Sequence, residues 1–272
     1  MPDIMALAEE LLSAYMNGNI LSAPPSAREG GLNLNDAFAV ENEFLRLRMA
    51  AGRRSVGLKV GYANKAIWRV LKLDTLVWAH MYDDTVHMAA GGAAELALPH
   101  LGSRKIEPEI VFRLKRSLPD AGLDAAAALD AVEWLAIGFE IIECPFPEWQ
   151  FQPVDFVAAF GLHRALVVGE PRPVEPALVP KLVEELPRLK VRLLKNGVLI
   201  EEGSGKNSLR SPALCLAELA GALLRQPGAQ PLAAGDLVSS GTLTGGSPAV
   251  PGEVWSVEVD GIPLSGLAVS LR

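Results

Sequence analysis

Glu107 and Glu109 stand two residues apart in Lys-Ile-Glu-Pro-Glu-Ile-Val-Phe at 105–112. A third carboxylate, Glu140, interrupts the apolar run Ala-Ile-Gly-Phe-Glu-Ile-Ile at 136–142. In an extended chain, side chains two residues apart point to the same side, roughly 6.5–7 Å apart at Cα. Carboxylates that close repel unless solvent or a cation lies between them. An unpaired charge inside a buried strand is costly in its own right. One divalent cation shared by Glu107, Glu109 and Glu140 removes both penalties, and an all-oxygen ligand set favours a hard ion such as Mg2+ or Mn2+.

Each of these residues also has a plainer reading. Lys105, Glu107, Glu109, Arg113 and Lys115 share one face of an extended segment, and Ile106, Ile110, Phe112 and Leu114 share the other. That alternation describes a half-exposed antiparallel strand, with Pro108 marking an edge or a bulge. Glu140 could pair with an arginine or lysine elsewhere, although Ala136 and Gly138 on its own face leave room in front of it. Lys59 shares a face with Ser55, Gly57 and Gly61, opposite Val56, Leu58 and Val60. It either lines the floor of a ligand site or forms a salt bridge to one of the carboxylates.

Asp83 and Asp84 follow an apolar strand segment. They are turn formers by type, or one of them handles a proton or positions a water. The hydroxyls and backbone N–H groups of Gly241-Thr242-Leu243-Thr244-Gly245-Gly246 could grip a carboxylate, or the segment is a tight turn. The four histidines (His80, His87, His100, His163) show no helical metal spacing, while His80 and His87 flank the aspartates as a rival mixed-ligand site. There is no nucleophile elbow, phosphate loop or dinucleotide fingerprint.

The bulk of the chain must position these groups. Its 272 residues, 50% hydrophobic, can bury a sizeable core as one large domain or as a main domain with a small appendage. A net charge of −7 with no basic cluster argues against nucleic acid as a partner. Cys144 and Cys215 are far apart, which fits a reduced compartment. The acidic amphipathic start is unlike a signal peptide, and no apolar run reaches the roughly 18–20 residues of a membrane span. The expectation is a cytoplasmic protein without membrane contact.

Periodicity and capping residues predict helices over 1–17, 34–51, 64–71, 124–131 and 212–226. Strands are expected near 77–82, 106–115, 134–143, 164–169, 189–195, 198–202, 236–240, 253–259 and 266–271, after a first strand beginning at Ser55. Lys195-Asn196-Gly197 carries a hairpin signal. The fold class is α+β, with a helical region over 1–54 and a β-rich domain over 55–272.

Taken in order, several segments resemble the hydratase/decarboxylase branch of the fumarylacetoacetate hydrolase superfamily. They are Leu34-Asn-Asp-Ala-Phe-Ala-Val, Gly57-Leu-Lys-Val-Gly61, Ile106-Glu-Pro-Glu-Ile-Val-Phe112, Phe139-Glu-Ile-Ile142, Glu148-Trp149 and Val154-Asp155. The likeness continues through Asn196-Gly197, Pro212, Gly241-Thr-Leu-Thr-Gly and Pro251-Gly-Glu. The branch includes 2-keto-4-pentenoate hydratases and 4-oxalocrotonate decarboxylases of aromatic catabolism. The resemblance implies a distorted mixed β-roll with N-terminal helices alongside. It also implies Mg2+ or Mn2+ on Glu107, Glu109 and Glu140, an active-site lysine at Lys59, and a strand-end aspartate at Asp84 or Asp83.

The segment Ala158-Ala159-Phe160-Gly161-Leu162-His163 departs from the small and hydroxyl residues usual there. His163 reads as a packed histidine, with a substrate or acid/base contact as the alternative. The expected activity is addition of water to a 2-hydroxy-2,4-dienoate, giving a 4-hydroxy-2-oxo acid. The competing readings are decarboxylation of a 4-oxalocrotonate-type acid, an acylpyruvate-type C–C hydrolase, and a non-catalytic acid binder or structural subunit. Gly241, Thr242 and Thr244 are expected at the substrate. The resemblance further implies a homo-oligomer and association with a related pathway enzyme.

Overall fold

The computed structural model describes residues 2–98 and 102–272; His100 lies outside them. Helix α1 (Ile4–Asn17) begins where the Asp3 side chain accepts from the Ala6 N–H at 3.1 Å, and it ends at Gly18 in the left-handed conformation. Helix α2 (Leu34–Ala50) starts at Asn33, whose side chain accepts from the Asp36 N–H at 2.9 Å. Helix α1 packs on α2, with Tyr15 edge-on to Phe44 at 5.9 Å between ring centroids, and α2 in turn sets Phe38 against Trp78 at 4.8 Å.

The strands are β1 (Ser55–Gly61), β2 (Val77–Tyr82), β3 (Val86–Met88), β4 (Ala93–Leu96), β5 (Ser103–Leu114), β6 (Val132–Cys144) and β7 (His163–Val168). There follow β8 (Arg172–Pro173), β9 (Lys190–Lys195), β10 (Val198–Ser204), β11 (Leu237–Thr242), β12 (Ser247–Pro248), β13 (Val254–Asp260) and β14 (Leu267–Leu271). Five further helices are α3 (Trp68–Leu71), α4 (Ala125–Asp130), α5 (Pro153–Ala158), α6 (Val179–Glu185) and α7 (Pro212–Arg225).

The strands form two mixed sheets. The larger runs β2-β1-β11-β5-β6-β7-β3, with β12 on β5 and β8 on β6; the smaller runs β10-β9-β13-β14-β4. The α+β expectation holds. The anticipated strands are present within a few residues, whereas 64–71 divides into a 3-10 turn at Lys65–Ile67 and the single turn of α3. Strands β3, β4, β8 and β12 and helices α5 and α6 fall outside the expected elements: each spans too few residues for its hydrophobic period to stand out.

One expectation needs correcting. Strand β5 is neither an edge nor half-exposed, because it lies between β11 and β6 and is buried over most of its length. Pro108 has no N–H to give, and the irregularity this requires falls on its neighbour: the β11 register shifts between Ser239 and Thr242. The Pro108 carbonyl still accepts from the Leu243 N–H at 2.8 Å.

Candidate active site

Antiparallel pairing of β5 with β6 sets Glu107 opposite Glu140 and Glu109 opposite Gly138. The three glutamates therefore share one face and each offers an oxygen within 4.8 Å of the others. Strand β1 runs parallel to β11 with Lys59 beside Ser239. Gly241 adopts φ +86°, a turn a side chain would strain, and its N–H donates to Glu109 Oε2 at 2.9 Å. The Ser239 hydroxyl donates to the same oxygen at 2.5 Å. Glu109 Oε1 is buried and has no hydrogen-bond partner among the described residues.

Lys59, only 2% exposed, has its Nζ 2.8 Å from Glu140 Oε2. It also donates to the Gly161 carbonyl at 3.0 Å. The other oxygen of Glu140 is 2.8 Å from His163 Nδ1. Phe160, Gly161 and Leu162 all have left-handed φ, and this strained turn brings the Gly161 carbonyl to the lysine. Lys59 and Glu107 border a cavity of about 490 Å³, walled by Trp149, Phe151 and Phe156 and rimmed by Thr242 and Thr244.

Burial pushes Glu107 up to about 7, partly offset by Lys59. Burial and then the charge of Glu140 push Glu109 well above the usual glutamate value. Burial also opposes ionisation of Glu140, but the Lys59 ammonium and the His163 hydrogen bond outweigh it and leave Glu140 lowered. Burial of Lys59 is likewise outweighed by the three carboxylates, so its pKa is raised and it is an ammonium at neutral pH. One residue thus takes most of the negative charge while its two neighbours hold protons more readily. Such a separation beside a cleft makes these carboxylates candidates for a functional site.

The sequence pattern of the fumarylacetoacetate (FAA) hydrolase C-terminal family matches residues 74–266. The chain belongs to the fumarylacetoacetate hydrolase family. It is 30% identical over 224 residues to a 2-hydroxypent-2,4-dienoate hydratase of Pseudomonas putida, covering 81% of this chain and 95% of the relative. It is 28% identical over 255 residues to a 2-keto-4-pentenoate hydratase of Paraburkholderia xenovorans, covering 94% and 90% respectively. The fold matches that of a 4-oxalocrotonate decarboxylase from Pseudomonas putida G7, solved with magnesium and adipate. That match has a TM-score of 0.88 at 24% identity and covers 99% of this chain and 97% of the other.

Within this family member, the structure brings Lys59, Glu107, Glu109 and Glu140 together and places Gly241, Thr242 and Thr244 on the cavity. It does not bring Asp83, Asp84 or His163 to that cavity. Asp83 pairs with Arg54 at the surface. Asp84 lies between Arg48 and Arg53 on a separate cavity of about 340 Å³. The turn carrying both aspartates runs past the end of β2, where arginines from α2 and the following loop capture them. His163 is buried behind Glu140 rather than exposed to substrate. The rival pair is also dispersed: His80 faces Glu41 Oε1 at 2.7 Å, and His87 lies on the second cavity. No transmembrane candidate is present, since no described helix is long and apolar enough to cross a membrane.

Sequence reasoning missed Ser239, Gly161 and Thr85. Ser239-Ser240 inside an otherwise apolar strand was the available signal for the first; the other two become visible only through long-range contacts.

The donor set fits a hard divalent cation. Three carboxylates against one ammonium leave a formal charge of −2, and a buried carboxylate oxygen without a partner is costly unless something binds it. Binding must displace the protons favoured on Glu107 and Glu109. Mn2+ affinity measured by titration calorimetry is therefore expected to fall by about tenfold per pH unit below 7 for each proton displaced. The stability sign agrees. A carboxyl raised from 4.5 to about 7 on folding destabilises the ion-free protein progressively as pH climbs through that window. Mg2+ should accordingly raise Tm more at pH 8 than at pH 6.

Proposed function

We propose that this chain is a divalent-metal-dependent hydratase that adds water to a 2-hydroxy-2,4-dienoate to give a 4-hydroxy-2-oxo acid. The observation that carries this reading is the three-glutamate cluster beside Lys59, with Glu109 and Glu140 buried and Glu107 half-buried at an aromatic-walled cavity. Near-full-length likeness to enzymes named as hydratases of such dienoates supports the choice of substrate.

Glu107, Glu109 and Glu140 would hold Mg2+ or Mn2+, whose chemistry there is to supply positive charge that stabilises electron density building on the 2-oxygen. Lys59 is the acid of the site. As an ammonium fixed between Glu140 and the Gly161 carbonyl, it steers the substrate anion and holds the proton that the dienol-to-enone conversion must exchange. At the rim, several groups are already engaged. The Gly241 N–H serves Glu109, the Gly245 N–H serves Glu201, and the Thr244 hydroxyl donates to the Gly245 carbonyl. The Thr242 hydroxyl accepts from the Thr244 N–H and has no acceptor for its own proton among the described residues. It is a rim donor left for a substrate carboxylate. The aromatic walls accommodate the unsaturated tail.

Decarboxylation of a dicarboxylic 2-oxo acid is the second reading. It is favoured by Lys105, whose ammonium borders the same cavity 4.1 Å over the Trp149 ring and could meet a distal carboxylate. Incubation with 2-hydroxypenta-2,4-dienoate and, separately, with 2-oxohex-3-enedioate in Mg2+ distinguishes the two. Loss of the dienoate ultraviolet absorbance without carbon dioxide release is expected. Carbon dioxide from the diacid, with the dienoate untouched, would replace hydration by decarboxylation.

A further inference from the structure

We propose that His163 is a positioning residue whose Nδ1–H, backed by Thr85, locks Glu140 into the orientation that completes the cation site. The inference rests on the assignment of Glu140 as a metal ligand. Both ring nitrogens of His163 are engaged: Nδ1 lies 2.8 Å from Glu140 Oε1, and Nε2 lies 3.0 Å from Thr85 Oγ1. The ring, Thr85 and Glu140 are all buried.

An ionised carboxylate has no hydrogen to give, so Nδ1 must carry the proton on that side. Nε2 faces the Thr85 hydroxyl at 3.0 Å, and that hydroxyl also reaches the Tyr82 carbonyl at 3.1 Å. Thr85 Oγ1 is itself held from behind, since it accepts from the Tyr82 N–H at 3.1 Å. A continuous run of hydrogen bonds thus ties the Tyr82 backbone through Thr85 and His163 to Glu140. Lys59 holds the other carboxylate oxygen. Glu140 is therefore gripped at both oxygens, by the Lys59 ammonium on one side and by the ring N–H of His163 on the other. Orienting bonds of this kind behind a ligand typically matter by 10–100-fold in metal affinity.

The test is Mn2+ binding, read by electron paramagnetic resonance of the free ion, alongside Tm. Proteins compared are wild type, His163→Leu, His163→Asn, Thr85→Val and Glu109→Gln. Leucine keeps the bulk but loses the donor, whereas the asparagine amide can place an N–H where Nδ1 stood. His163→Leu is expected to weaken Mn2+ binding about tenfold or more, His163→Asn to recover most of that loss, and Thr85→Val to move the same way as leucine. Wild-type affinity in His163→Leu, or asparagine as weak as leucine, overturns the proposal. If the leucine variant does not fold, unaltered affinity in Thr85→Val overturns it instead. Wild-type protein that binds no Mn2+, with Glu109→Gln indistinguishable from it, sinks the cation reading of the glutamates and this inference together.

Discussion

Glu109→Gln is expected to lower kcat by about 10³-fold, on the scale seen when one electrostatic contact to the developing charge is removed, while the protein stays folded. The reason lies in how the two oxygens of Glu109 are used. Oε2 accepts from Ser239 and from the Gly241 N–H, and the glutamine carbonyl can accept both bonds unchanged. Oε1 has no partner among the described residues, so it is the atom free to bind an ion, and in glutamine it becomes an uncharged NH2. The same change removes a charge that burial and Glu140 already disfavour. Ion-free Tm at pH 8 should therefore be unchanged or higher. A destabilised variant would point to a structural role, and undiminished turnover at saturating Mg2+ would remove Glu109 from the site. Loss of activity with Tm held or raised is a pattern that simple damage to the core does not produce.

Lys59→Met should be the most disruptive single change to the ion-free protein. Lys59 and Glu140 are 2% and 0% exposed and their charged atoms lie 2.8 Å apart. Breaking a buried pair on one side typically costs about 3–5 kcal/mol, because the remaining charge has no compensation. Here it would leave three carboxylates with no ammonium among them. Added Mg2+ should recover part of the lost Tm by restoring positive charge, yet kcat should remain down by about 10²–10⁴, the range usual for loss of a positioned acid. Recovery of both Tm and kcat would show Lys59 to be a counter-ion only. Gly161→Ala supplies a graded companion. A Cβ there would lie 2.6 Å from Lys59 Cδ and 3.0 Å from Ala79 Cβ, on a backbone at φ +62°. It should displace the lysine without removing its charge and cost kcat up to about 10²-fold, as for a small misplacement of a catalytic group.

The second cavity shows where local reading reaches its limit. Asp84 has the residue type and the strand-end position for proton chemistry, yet Arg48, 36 residues earlier, holds it. Spacing along the chain carries no record of that partner. His163 is the converse case: a residue that reads as simple packing turns out to grip a site carboxylate and, through Thr85, to tie β7 to the turn after β2. Asp155, part of the Val-Asp segment of the family resemblance, faces the N-terminal loop. It accepts from the Ser26 N–H at 2.7 Å and from the Gln152 N–H at 2.8 Å. Its work is to anchor that loop against α5.

Residue order by itself determined the α+β class and most strands, and it singled out Lys59, Glu107, Glu109 and Glu140 as candidates. A two-residue side-chain period is a property of the local backbone, and a charge inside an apolar run stands out without any partner being known. Only the tertiary structure decided that β5 is central, that Glu107 faces Glu140 across the pairing, that β1 lies beside β11, and that Asp84 is diverted while His163 is recruited. Those outcomes depend on strand register and on contacts between segments that are distant in the chain. A shift of one residue in register would turn every one of these side chains to the opposite face.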